Sequence, residues 1–174
     1  MENKRPGLAD LLRNSVDPND SPEGRRAGRD AVLTFFKALA SRDRAALAGI
    51  ITHDVVHEIP FSESGSTESG RFRKFEGRDT IVDFWMTIVP GIKVGKPEDV
   101  ELSVNGDGSR IFIEQRGDMT MPDGKRYRNR YVFRFDIRDG KVCHSKEYFN
   151  PIISAYAFSR PVAGGIIIDR LDEG

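Results

Sequence analysis

Between Arg128 and Pro151 the chain alternates apolar and polar residues almost without a break, and an Arg138-Asp139-Gly140 turn divides the run in two. Two period-two stretches joined by an Asp-Gly turn specify a long antiparallel hairpin, because successive side chains of a strand point to opposite faces. Tyr131, Phe133 and Phe135 share one face of the first strand, and Cys143, Ser145, Glu147 and Phe149 one face of the second. Glu147 thus sits among small and apolar neighbours, just ahead of an Asn150-Pro151 break. Burial there is expected to disfavour its charged form and raise its pKa, which suits a carboxyl to proton transfer at the mouth of a pocket. An ordinary strand-end carboxylate paired with Arg116 or Arg134 is the other reading the residues allow.

Upstream of the hairpin the period changes to that of helices. Val32, Phe35, Phe36 and Leu39 form one apolar stripe in a helix predicted from about Arg25 to Ala40. A short helix follows from about Asp43 to Ile51, with Asp43 as its N-cap. Asp54 to Phe61 alternates as a strand that turns Val55, His57 and Ile59 to one side. The spacing of Ile81, Phe84, Trp85 and Ile88 predicts a third helix from about Arg78 to Val89, stopped by Pro90-Gly91. From Val100 onward strands are predicted over 100–104, 110–121, 125–137 and 141–150, joined at Gly-rich turns, and a last short helix near Ser154 to Phe158. Residues 1–24, with Pro6, Pro18 and Pro22, read as a flexible arm, and residues 25–174 as a single domain. Three helices followed by a long sheet make an α+β layer architecture with a cavity between the layers.

Lys plus Arg equals Asp plus Glu, 27 against 27, so the chain lacks the basic excess that nucleic acid or a membrane surface would require. No run reaches the ~20 apolar residues of a membrane span, and no secretory signal opens the sequence, so a cytoplasmic location is expected. A single cysteine, Cys143, excludes an internal disulfide, and three scattered histidines give no metal-ligand spacing. Nucleotide-binding glycine loops and a Gly-x-Ser-x-Gly elbow are absent, so no cofactor is expected and a serine hydrolase is disfavoured.

The order helix, short helix, Thr52-His53-Asp54-Val55-Val56 strand, and Gly77-Arg78-Asp79 opening a third helix ahead of the strands resembles the cone-shaped barrel of the nuclear transport factor 2-like superfamily. Ketosteroid isomerase, scytalone dehydratase, limonene epoxide hydrolase and the SnoaL-like polyketide cyclases belong to it. Glu63-Ser64-Gly65, Glu114, Gly117, Asn129 with Tyr131, and the run from Glu147 through Phe149-Asn150-Pro151-Ile152 resemble more closely the phenazine-biosynthesis A/B proteins. The resemblance implies a curved antiparallel sheet and three N-terminal helices around a cavity, with an acid/base role for Glu147. The histidine that those proteins would carry on the third helix has no counterpart here. Set against ketosteroid isomerase, the general-base position falls on Ile59 and an oxyanion position on Tyr131.

The expected function is therefore a cofactor-free isomerase, cyclase, dehydratase or condensing enzyme of secondary-metabolism type. Glu147 is its expected acid/base, with His57 assisting. Trp85, Tyr131, Phe35, Cys143 and Ser145 are the expected walls for a small, partly apolar or aromatic ligand. The alternative is a non-catalytic binding protein on the same fold. Val132, Val142 and Tyr148 mixed among charges on the opposite sheet face predict a homodimer through that face.

Overall fold

In the computed structural model the described residues are 9, 19–62, 66, 68, 70, 72–88 and 90–170. They form four α-helices, nine strands and one short 3-10 turn. Helix α1 (Pro22–Ser41) starts three residues before the apolar stripe predicts. Ser21 caps it, its hydroxyl accepting from the Gly24 N–H at 2.9 Å, and Pro22 occupies the first turn, where a missing N–H costs nothing. The end of the expected arm is accordingly part of the fold: the Ser21 N–H donates to the Gly106 carbonyl at 2.8 Å. Gly24 and Gly28 let α1 approach the 105–109 turn closely, since a Cβ on them would lie 2.3 and 2.5 Å from the carbonyl oxygens of Asp107 and Gly108. Helix α2 (Arg44–Ile50) has the predicted Asp43 cap, whose carboxylate accepts from the Ala46 N–H.

Six strands form the main sheet in the order β2 (Arg73–Glu76), β1 (Ile51–Ile59), β9 (Lys141–Phe149), β8 (Arg130–Arg138), β5 (Arg110–Arg116), β4 (Glu98–Val104). β3 (Lys93–Val94), β6 (Met119–Thr120) and β7 (Arg126–Tyr127) make a small second sheet. Two expectations are corrected here. The sheet is mixed rather than antiparallel, because β1 runs parallel to β9; alternation along a strand reports its faces and says nothing of its neighbour's direction. Four helices are present where the resemblance implies three N-terminal ones: α3 (Arg78–Ile88) follows two strands, and α4 (Pro151–Ala157), the short helix expected near Ser154, follows the last strand. Asn150-Pro151, read as a break, is the start of α4: the Asn150 side chain accepts from the Ile152 N–H and Pro151 takes the first helical position.

The long strands predicted over 110–121 and 125–137 are each split. Gly117 is the point at which β5 gives way to β6, and its N–H donates to the Asn129 carbonyl at 2.9 Å. A Cβ there would meet the Tyr131 ring at 2.9 Å, so the strand passes beneath that ring only with glycine. On β9 a bulge at Cys143 changes the alternation, Asp136 pairing with His144 and Ile137 with Val142.

Helix α1 lies across the inner face. Phe35 packs edge-on against Phe135 with centroids 5.4 Å apart, and Leu47, Ile51, Ile111 and Val142 are fully buried with them. None of the described helices is long and apolar enough to cross a membrane.

Candidate functional site

The inner face of the sheet carries the site. β8 and β9 pair Phe135 with Ser145, Phe133 with Glu147 and Tyr131 with Phe149, and β1 adds His57 beside Ser145. Beyond the end of the helical layer this face opens into a small cavity of about 80 Å³. Glu147, Tyr131, Trp85, Phe149 and Phe84 line it, with Tyr127 and Ser154 at the α4 side and with Arg73 and Arg160.

His57 is buried against Glu147. Its Nδ1 lies 2.9 Å from Ser145 Oγ and its Nε2 3.8 Å from Glu147 Oε2, while the Trp85 and Phe84 rings stand 5.1 and 5.4 Å from the imidazole. Burial first, then the charges of Arg73 and His144, push the imidazole pKa down to about 3. A ring neutral at ordinary pH makes no ion pair with Glu147, and 3.8 Å is too long for a hydrogen bond. The contact becomes chemical once a proton or a substrate atom is shared between the two groups. The Glu147 side chain retains 12 % of its surface exposed, enough to touch the cavity. Arg116 and Arg134, the partners an ordinary surface carboxylate would use, are engaged instead with Glu98 and with Asp136.

Across the cavity stand two phenols. Tyr131 and Tyr127 are hydrogen-bonded to each other, and burial pushes both hydroxyls above their ordinary pKa, with the Glu147 charge adding to the shift. They stay protonated and can act as donors. Asn129, fully buried, holds the group in place: its amide nitrogen lies 2.9 Å from the Asn150 carbonyl and 3.4 Å from the Tyr127 hydroxyl, and its oxygen accepts from the Asn150 N–H. The same side chain therefore ties the phenol pair to the end of β9.

Glu147 and Tyr131 from the strands and Trp85 from α3 line the cavity, and His57 and Ser145 lie directly behind Glu147. Phe35 is one layer deeper, in the core, with its ring 6.0 Å from Trp85. Cys143 is a correction. The bulge gives its inward place to Val142, which is fully buried, and the thiol donates to the Asp136 carbonyl at 3.3 Å. The same bulge removes Val142 from the outer face assigned to a dimer. Glu63-Ser64-Gly65 lie outside the described residues, and Glu114 lines a separate groove on the outer face. Tyr127 was missed although it shares parity with Tyr131, because the chain breaks between them. Arg73 shares a face with Phe75, a weak signal, and Arg160 follows a left-handed Ser159 that no pattern announces. Among the described residues no group of three His, Cys, Asp or Glu is placed to hold a metal ion.

A family model, SnoaL-like domain, matches residues 32–145, well over half of the chain, and stops two residues short of Glu147. A curated relative, the uncharacterized protein YesE of Bacillus subtilis, is 22% identical over 146 residues, spanning 83% of this chain and 92% of that protein. Among solved structures, a Bacillus subtilis protein provisionally named an isomerase superimposes with a TM-score of 0.68 at 19% identity, over 80% of this chain and 98% of the other. A phenazine biosynthesis-related protein of Pseudomonas aeruginosa superimposes at 0.60 with 20% identity, over 92% and 99%. At such identities these likenesses establish the fold alone.

Proposed function

This chain belongs to the SnoaL-like domain family, and we propose that it is a cofactor-free enzyme that moves protons on a small planar substrate. The observation carrying this reading is a largely buried carboxylate, Glu147, facing a cavity with a neutral imidazole at its back and two protonated phenols in the same lining. Glu147 takes a proton from a carbon beside a carbonyl, and the electron pair moves onto the carbonyl oxygen. One phenol of the Tyr131–Tyr127 pair, the other's proton being spent on their mutual hydrogen bond, donates to that oxygen as it becomes negative, where preorganised donors contribute most. The Glu147 carboxylic acid then returns the proton at another carbon, so no external oxidant or reductant enters. His57, fixed by Ser145, stands 3.8 Å behind the carboxylate and hydrogen-bonds to it only when Glu147 moves closer, donating to the carboxylate or accepting from the acid according to its tautomer. The likeness to a phenazine biosynthesis-related protein, together with the Glu147-to-Pro151 run, favours secondary metabolism as the setting.

Proton-exchange NMR tests this without knowledge of the substrate. A panel of aryl ketones in deuterated buffer should exchange α-hydrogens in the presence of the protein, and Glu147→Gln should slow that exchange by about a hundredfold or more. Exchange that survives the substitution, or a panel that binds without exchanging, would replace catalysis with ligand storage as the function.

We also propose a homodimer through the outer face of the sheet. A groove of about 720 Å³ lined by Arg130, Val132, Tyr148, Phe61 and Ile152 offers a mixed apolar and charged surface there. Light scattering at micromolar concentration reads the state directly, and a monomer overturns it.

A further inference from the structure

Trp85 Nε1 and His57 Nε2 are both buried, and neither has a hydrogen-bond partner among the described residues. They belong to rings whose centroids stand 5.1 Å apart, and His57 Nε2 lies 3.8 Å from Glu147 Oε2. An indole nitrogen can only donate. The imidazole, neutral because of its burial, carries one proton. A carboxylate facing Nε2 favours the tautomer with that proton on Nε2, Ser145 Oγ–H then donating to Nδ1. Two unmet donors and one carboxylate thus stand at the same end of the cavity. Buried donors left unmet are destabilising, and ordered water is the usual remedy where a polar site offers more than ~10–15 Å³. The cavity of about 80 Å³ holds one water and leaves the remainder for a small substrate. A carbonyl oxygen would accept from both donors but set its lone pairs against the Glu147 carboxylate. Water accepts from both donors and brings a proton for the carboxylate as well.

We propose that Trp85, His57 and Glu147 hold a reactive water, and that the enzyme adds this water to, or removes it from, a carbon–carbon double bond conjugated to a carbonyl. The inference rests on the acid/base reading for the identity of the base and adds a co-substrate and a reaction class. Glu147 takes a proton from the water as the water oxygen bonds to the β-carbon. The double-bond pair shifts to lie between the α-carbon and the carbonyl carbon, and the carbonyl pair moves onto its oxygen, where the available phenol proton of the Tyr131–Tyr127 pair meets it. The Glu147 acid then delivers its proton to the α-carbon as the carbonyl re-forms. Enone and water become a β-hydroxy ketone with no change of oxidation level overall, and dehydration is the same sequence reversed. Trp85 is here a positioning residue, aiming the water oxygen through its indole proton.

The chain has one tryptophan, so the nitrogen-labelled full-length protein shows a single indole N–H resonance. That proton should give a nuclear Overhauser effect to a long-lived water, and its absence overturns the water site. Cyclohexenone in heavy-oxygen water should become a β-hydroxy ketone labelled at its new hydroxyl, and Glu147→Gln should slow that uptake about a hundredfold or more. Trp85→Phe should lower oxygen uptake about tenfold more than it lowers α-hydrogen exchange of the aryl ketones, because only the first reaction uses the water. Equal losses in the two reactions would make Trp85 a wall and overturn its part in the proposal. Aryl ketones that exchange α-hydrogens while cyclohexenone takes up no oxygen remove this inference and leave the acid/base reading. Oxygen uptake that Glu147→Gln does not slow removes both. The wild-type measurements stand even if a variant fails to fold.

Discussion

Two histidines on adjacent strands of one sheet occupy opposite environments. His57 points inward from β1 into rings, with Ser145 as its hydrogen-bond partner, and its pKa falls to about 3. His144 points outward from β9 between Glu58, 3.1 Å from its Nε2, and Asp136, 3.6 Å from its Nδ1. Around His144 the outer face is a ladder of ions: Arg110 and Arg134 on Asp136, and Lys146 on Glu58 at 2.9 Å. The outer histidine stands among carboxylates with access to water, whereas the inner one must give up its hydration to carry a charge. One sheet thus separates a face that excludes charge from a face built of it. The few ionisable groups admitted to the inner side, Glu147, Arg73 and Arg160, gather at the cavity.

Truncation tests the contrast most strongly. Phe135→Ala removes a ring that meets Phe35, Phe36 and Phe133 on the inner face and should cost about 3–5 kcal/mol in urea unfolding. A loss below about 1 kcal/mol would mean the helical layer is loosely packed. Acid separates the faces next. The native pKa of His57 lies below the unfolded value of 6.5, so the unfolded chain binds the proton first. The contribution is complete above pH 6.5 and is lost progressively as pH falls toward 3, at 1.36 kcal/mol per pH unit, or about 2 kcal/mol by pH 5. Stability curves of the wild type and His57→Gln should converge over that window, and parallel curves would show that the buried ring accepts a proton without penalty. The smallest effect belongs outside. Arg110→Ala breaks one ion pair of the outer ladder and should change stability by less than about 1 kcal/mol. A larger loss would mark the ladder as a buried interface.

Much of this division is legible in the sequence wherever alternation is regular. Tyr131, Phe133 and Phe135 face inward as their spacing requires, and so do Val55, His57 and Ile59. Glu147 reaches the cavity for the same reason, and Trp85 by the helical spacing of its own segment. Alternation fails where the chain leaves its period. It cannot foresee the bulge that turns Cys143 away, nor the break at Asn129 that hid Tyr127 as a companion of Tyr131. Strand direction is equally invisible, since β1 joins β9 in parallel through contacts far apart in sequence. Arg160 depends on where a tail returns after α4, which local pattern does not encode. Asn150-Pro151 shows the reverse case: its capping chemistry was present in the residues and reads as a helix start once the strand before it is known to end at Phe149.

The bulge at Cys143 acts on β9 much as an inserted letter acts on a reading frame. Upstream of it Val142 seals the core, and downstream of it Ser145 backs the site while Glu147 and Phe149 line the cavity, the first inward pair standing three positions apart instead of two. Were that residue paired in the ladder instead of bulged, either everything between it and the hairpin turn or everything after it would shift by half a period against β8. In the second case Lys146 and Tyr148 would turn inward and Glu147 outward, exchanging an acid for a base in the cavity without any substitution. The identity of the group that lines the cavity is thus set by how one extra residue is accommodated in β9 as much as by the residue types themselves.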